Sequence, residues 1–139
     1  MTTETNKAII RRIVEEIQNR DNLALIDELL APNFVNHTPA PGLPPDREGI
    51  KQLLSMFRAA FPDGSMTIED MIAEGDKVVS RKTYRGTHQG EFMGIPPTGR
   101  HVTVGLIDIM HIVDDKVVEH WNVGDDLSML QQLGVLPSL

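Results

Sequence analysis

Gly86-Thr87-His88-Gln89-Gly90-Glu91-Phe92-Met93-Gly94-Ile95-Pro96-Pro97-Thr98-Gly99-Arg100 is the stretch on which the fold depends. Its four glycines and two prolines in fifteen residues exclude a helix. Strand formers flank it, from Val78 to Arg85 and from His101 to Val113. It therefore reads as the irregular end of one long strand, a turn, and the start of the next. Gly94 to Gly99 is the expected turn, because Pro96 and Pro97 restrict φ and lack amide donors while Gly99 is free to take positive φ. Gly86 and Gly90 are expected bulges, where the sheet bends far enough to wrap around something.

Upstream, Ile10, Ile13, Val14 and Ile17 mark one face of a helix over about Thr5 to Arg20. A shorter helix follows, capped by Asp21 or Asn22, carrying Leu25, Ile26, Leu29 and Leu30 and stopped at Ala31-Pro32. Asn33 to His37 is extended, and a proline-rich loop leads to a third helix, Arg47 to Phe61, whose face is Ile50, Leu53, Leu54, Phe57 and Phe61. Asp46 is its expected cap. Downstream, Met66, Ile68 and Ile72 mark a strand, Glu74-Gly75-Asp76 a turn, and Lys116 to Val123 the last strand. Asp125 or Asp126 then caps a helix closed by Gly134. Helices first and a bent antiparallel sheet after them make an α+β class, read as one domain over residues 1–139.

The formal charge of −7 argues against nucleic acid, which demands clustered cations. With no cysteine there is no disulfide, thiol nucleophile or zinc thiolate site. No apolar run approaches the roughly 20 residues of a membrane span, and the expected location is cytoplasmic. The five histidines, at 37, 88, 101, 111 and 120, include no pair at helical spacing, so no metal is expected. Serine-nucleophile, phosphate-loop and dinucleotide signatures are missing too, and no cofactor is expected.

Gly86-Thr87-His88, Gly90, Gly94-Ile95-Pro96-Pro97-Thr98-Gly99-Arg100, the Ile109 to Asp114 run and Glu119-His120-Trp121 together resemble the SnoaL-like polyketide cyclases. That family has a nuclear-transport-factor-like fold, and the resemblance covers nearly the whole chain. It implies a cone in which the strongly bent antiparallel sheet wraps the N-terminal helices around an internal pocket. It also implies a homodimer formed through the outer sheet face, and a small hydrophobic molecule as ligand. The family's cyclases are thought to use an aspartate on the last strand as acid/base for aldol ring closure; here Asn122 stands at that place, and asparagine cannot shuttle a proton. Asp108 stands where the family has a pocket histidine, and Asn36 where it has a pocket asparagine.

Asp108 is the central candidate, an acid sharing one side of its strand with Val102, Val104, Leu106 and Met110. Unpartnered burial would raise its pKa toward neutrality. Its cross-strand neighbour depends on the Asp114-Asp115 hairpin: a three-residue loop puts Asn122 opposite, a two-residue loop Trp121. The three-residue loop is preferred, because Asp-Asp is a poorer tight turn than Asp-Gly. In the aldol scheme Asp108 is the proton shuttle, and His120, Asn36 or Asn122 hydrogen-bonds the enolate. The alternatives are hydrolysis of a small electrophile such as an epoxide by the same residues, and a module that only binds ligand or dimerises.

His37, Phe57, Tyr84, His88, Leu106 and Met110 are the candidate substrate contacts. Structural roles compete at each: Asp108 as a hydrogen-bonded structural acid, His120 as a core histidine, His88 as a backbone anchor, Tyr84 and Trp121 as core or dimer residues. Arg81, Lys82 and Arg85 are expected on a solvated strand face or an interface.

Overall fold

The computed structural model describes residues 2–137. Helix α1 (Thr3–Arg12) starts at a reciprocal cap, in which Thr2 and Thr5 satisfy each other's backbone amides. It continues into a π-helical segment over Ile13–Gln18. Periodicity gives no sign of the wider turns, since the expected stripe of Ile10, Ile13, Val14 and Ile17 still faces the core. The expected second helix is shorter: a 3-10 turn (Leu23–Leu25) and one α turn, α2 (Ile26–Leu29), with no side-chain cap from Asn22. Strand β1 (Leu30–Asn36) starts at once and includes Pro32. The edge position accommodates that proline, because β1 pairs only with β5 and the pairing is broken between Leu30 and Val35.

Helix α3 (Arg47–Ala60) is capped by Asp46, whose side chain accepts from the Gly49 amide at 3.1 Å. Strands β2 (Ser65–Glu74), β3 (Lys77–Thr87), β4 (His101–Val113) and β5 (Lys116–Gly124) follow, then α4 (Asp126–Gln132), capped by Asp125. The sheet order is β1-β5-β4-β3-β2, antiparallel except that β1 runs parallel to β5.

The stretch from Gly86 to Arg100 differs in detail from its reading. Pairing of β3 with β4 is unbroken from Lys77↔His111 to Thr87↔His101, so Gly86 is no bulge. Close approach accounts for both glycines: a Cβ on Gly90 would stand 2.2 Å from the Ala59 carbonyl oxygen, which excludes any side chain, and one on Gly86 would crowd Phe61 Cβ at 3.0 Å. The tight reversal is Met93-Gly94, both at positive φ, closed by paired bonds between Phe92 and Ile95. Pro96 and Pro97 follow the reversal instead of forming it.

The β4–β5 hairpin settles the register in an unforeseen way. Val113 pairs with Lys116, leaving a two-residue loop whose Asp114 and Asp115 lie at φ 50° and 62°, a conformation aspartate tolerates better than most residues. That loop alone would set Asp108 against Trp121. Val118, however, is an extra residue between Val117↔Ile112 and Glu119↔His111, and this bulge restores Asp108↔Asn122 and Met110↔His120.

Two apolar clusters fill the concave side of the sheet. Ile9, Ile10, Ile13, Ile17, Ile26, Leu29, Leu30, Phe34, Val78, Met110, Ile112 and Val117 form the first, and Ala60, Phe61, Phe92, Val102, Val104, Met129 and Leu133 the second. Along β4 they are separated by Leu106 and Asp108. Helix α3 spans the separation, with Ile50 and Leu54 on the first cluster and Phe57 on the second. Its apolar face is only half-buried. On the convex side an apolar row, Ile72–Val79–Ile109–Trp121, crosses four strands, with Ile107–Val123 beside it. Val123 is 76% exposed and Ile109 37%.

Candidate functional site

The residues that interrupt the apolar interior are polar. Alternation along β3 sends Val78, Ser80 and Lys82 inward, and β4 sends Asp108 in between them. β5 supplies His120 and Asn122, and the end of β1 supplies Asn36.

Asp108 is 2% exposed. Ser80 Oγ donates to its Oδ1 at 2.5 Å, and Lys82 Nζ stands 2.6 Å from its Oδ2. The Lys82 side chain is 0% exposed, and Nζ has no partner of good hydrogen-bond geometry among the described residues, so its tie to Asp108 is chiefly ionic. On the other side His120 Nε2 lies 3.8 Å from the same Oδ2. The His120 side chain is 13% exposed and is the open member of the group.

The expectation that burial lifts Asp108 toward neutrality is overturned. Burial is the largest influence and does push the carboxyl up, but His120, Lys82 and Ser80 together outweigh it and bring the group down to about 2. Lys82 is the decisive partner, because 2.6 Å is contact distance whereas 3.8 Å exceeds a hydrogen bond. Asp108 is therefore charged at neutral pH and a weak base. Placing Lys82 on a solvated face was likewise wrong, although the alternation held the signal. Ser80, Lys82 and Tyr84 share the parity of buried Val78, while Arg81 and Arg85 share that of Val79.

His120 Nδ1 lies 3.2 Å from Asn36 Oδ1, which also accepts from the Thr38 amide at 3.1 Å. That amide identifies the Asn36 atom as the oxygen, so Nδ1 carries the proton and donates. Thr38 Oγ1 in turn accepts from the Asn122 amide, tying the start of the proline loop to β5. Asn122 stands across from Asp108 and is half-buried.

The candidate substrate contacts divide. Leu106 lies on β4 at the interruption, Met110 is in the first cluster, and Phe57 and Tyr84 pack edge-on at 5.4 Å beside the second. Burial, aided by Asp63 and opposed by Arg58, pushes the Tyr84 phenol up to about 12. His88 is fully buried: its Nδ1 accepts from the Thr98 amide at 3.2 Å, and its backbone bonds Arg100 and Gly99, which anchors the loop. His37 lies outside the group, because the turn of the chain after Asn36 sends it to the convex face. There it stacks on Trp121 at 4.6 Å and bonds Glu119 at 3.0 Å. A surface depression of about 520 Å³ between α1 and the β2 edge, lined by Lys7, Arg11, Asn19 and Met66 among others, shares no residue with the polar group.

No helix among the described residues is long and apolar enough to cross a membrane. The sequence profile of the SnoaL-like polyketide cyclases matches residues 8–133. A nogalonic acid methyl ester cyclase of Streptomyces nogalater is 32% identical over 111 residues, covering 78% of this chain and 83% of that protein. Among solved structures, IdmH of Streptomyces antibioticus, a candidate polyketide cyclase, is 38% identical with a TM-score of 0.82, over 93% of this chain and 98% of that one. AclR of Streptomyces galilaeus, a candidate hydroxylase, is 34% identical with a TM-score of 0.88, over 99% of this chain and 86% of that one.

Proposed function

Because the chain belongs to the SnoaL-like polyketide cyclase family, we propose that it closes a ring in a small hydrophobic carbonyl compound by acid/base catalysis at His120 and Asp108. The carrying observation is a carboxylate held in its charged form between two apolar clusters, with an imidazole 3.8 Å away that is the more open of the two. Asp108 alone would be a poor shuttle, since a group titrating near 2 neither takes a proton from carbon readily nor holds one to give back.

His120 suits the shuttle better. With Nδ1–H held by Asn36, Nε2 is the nitrogen that bears the lone pair in the neutral ring. It takes the proton from the carbon beside a substrate carbonyl, and the resulting enolate carbon attacks the second carbonyl. A carbon–carbon bond forms, the attacked carbonyl becomes an alkoxide, and the imidazolium returns the proton to it. Asp108 stabilises the imidazolium from 3.8 Å, and the Asn122 side-chain amide, across from Asp108 and half-buried, is the donor for the enolate oxygen in this scheme. Asn122 thus keeps a polar role where the resemblance places an acid.

The relatives' substrates supply the test: nogalonic and aklanonic acid methyl esters, with ring closure followed by chromatography. Wild type is expected to cyclise at least one, and His120→Gln to lose about 100-fold or more in kcat. No turnover of either ester, or full activity in His120→Gln, overturns the reading.

The apolar row Ile72–Val79–Ile109–Trp121, exposed at Ile72 and Ile109 and half-buried at Val79 and Trp121, supports a second copy of the chain as the partner of the convex face. Mass measurement in solution tests this, and a monomer at all concentrations would refute it.

A further inference from the structure

We infer that Lys82 is a positioning residue for this site: its ammonium, sealed behind Asp108, keeps that side chain anionic and turned toward His120. The inference rests on the acid/base reading above. Three layers of accessibility carry it, with Lys82 at 0%, Asp108 at 2% and His120 at 13% side-chain exposure. The imidazole is the member most open to an incoming molecule, and Lys82 acts only through the carboxylate between them.

The carboxylate is held at both oxygens, Oδ1 by Ser80 and Oδ2 by Lys82, so it cannot rotate away from the ring. Its ionic contacts among the described residues are Lys82 from β3 and His120 from β5. The neutral polar groups beside it are Ser80 on β3 and Asn122 on β5, with Asn36 of β1 beyond the imidazole. On α3, which packs over both clusters, Leu54 lies against the first and Phe57 against the second.

Stability is a weak reason for such a lysine. Sealing an ammonium and a carboxylate inside a protein costs desolvation that their attraction barely repays, and apolar residues of the same volume often serve as well or better. Lys82 stands opposite Leu106, next to Val104 on β4, where apolar residues in place of both Lys82 and Asp108 would extend the apolar interior. Lys82 is therefore explained better by what its charge does to Asp108 than by packing.

The test is Lys82→Met, read by ¹³C NMR titration of the Asp108 carboxyl and by the pH profile of turnover of a methyl ester substrate. Without the cation, the carboxyl midpoint is expected to rise from about 2 by at least about two pH units. About one pH unit below the new midpoint, kcat relative to wild type at the same pH should fall by about 10-fold with KM within about twofold, and the ratio should recover as pH rises past that midpoint. Recovery of that ratio with pH is a signature that a packing role would not produce. An unmoved midpoint overturns the inference, as does a moved midpoint with unchanged turnover. If wild type turns over neither ester, the cyclase reading fails by itself, while the NMR midpoint still decides whether Lys82 sets the charge on Asp108.

Should Lys82→Met not fold, the double variant Lys82→Met/Asp108→Asn decides. Removal of both charges is expected to restore folding, and a double variant as unfolded as the single one would count against the pair.

Discussion

Asp108 and His111 stand three residues apart on β4 and point to opposite faces of the sheet. Each is flanked by groups of opposite charge, yet their surroundings differ in water. Asp108 meets Lys82 where neither side chain is more than 2% exposed. His111 lies between Glu119, 2.9 Å from Nδ1, and Asp76, 2.7 Å from Nε2, on a face where the Asp76 side chain is 58% exposed. Outside, water and salt compete with every contact, so the cluster adds little to stability. Inside, nothing screens the pair, and losing one partner strands the other.

Lys82→Met should therefore give the largest difference between the faces, about 3–5 kcal/mol of lost stability at pH 7 in urea denaturation. Arg81→Met, one residue along β3 and paired with Asp70 on the exposed side, should leave the midpoint where it is. Equal effects from the two would erase the distinction. Next in size is Ile109→Asp, which puts a charge into the convex apolar row. Sedimentation should show the proposed dimer lost while the fold persists; an unaltered dimer would mean that the row is not the contact.

The two networks should respond to pH in opposite directions. The Asp108 carboxyl is depressed to about 2, below its unfolded value near 3.9, so its contribution is complete above about pH 4 and drains away as pH falls toward 2. Asp108→Asn should be less stable throughout and should lose this acid limb. The His111 imidazole is raised, first by the hydrogen bond to Glu119, with burial opposing and Asp76 adding. Its contribution is present below about pH 6.5 and lost as pH climbs through the folded value. His111→Gln should remove that alkaline limb, the smallest effect of the four and one that added salt suppresses in wild type. Urea midpoints across the pH range measure both limbs, and limbs of the same sign would break the comparison.

Most of the elements were legible because they follow from local rules. The stripe on α3, the Asp46 cap, the limits of β4 and the inward parity of Asp108 all depend on neighbours within a few residues. The hairpin shows where such rules stop. The loop before β5 was misjudged, yet Asp108 still faces Asn122, because the bulge at Val118 cancels the change of parity. A bulge has no clear sequence signal; it is selected by what must pack on both faces of the finished sheet. Gly86 and Gly90 carried a signal whose meaning was missed, for only the assembled chain brings Phe61 and the Ala59 carbonyl against them.

By itself, then, the sequence determined an α+β chain of this family, with an inward acid on its longest strand, since periodicity and turn chemistry are properties of short segments. Only the tertiary structure decided what that acid is. Burial without a partner and burial beside a lysine push a carboxyl in opposite directions. Which applies depends on Lys82, twenty-six positions away in the chain and 2.6 Å away in space.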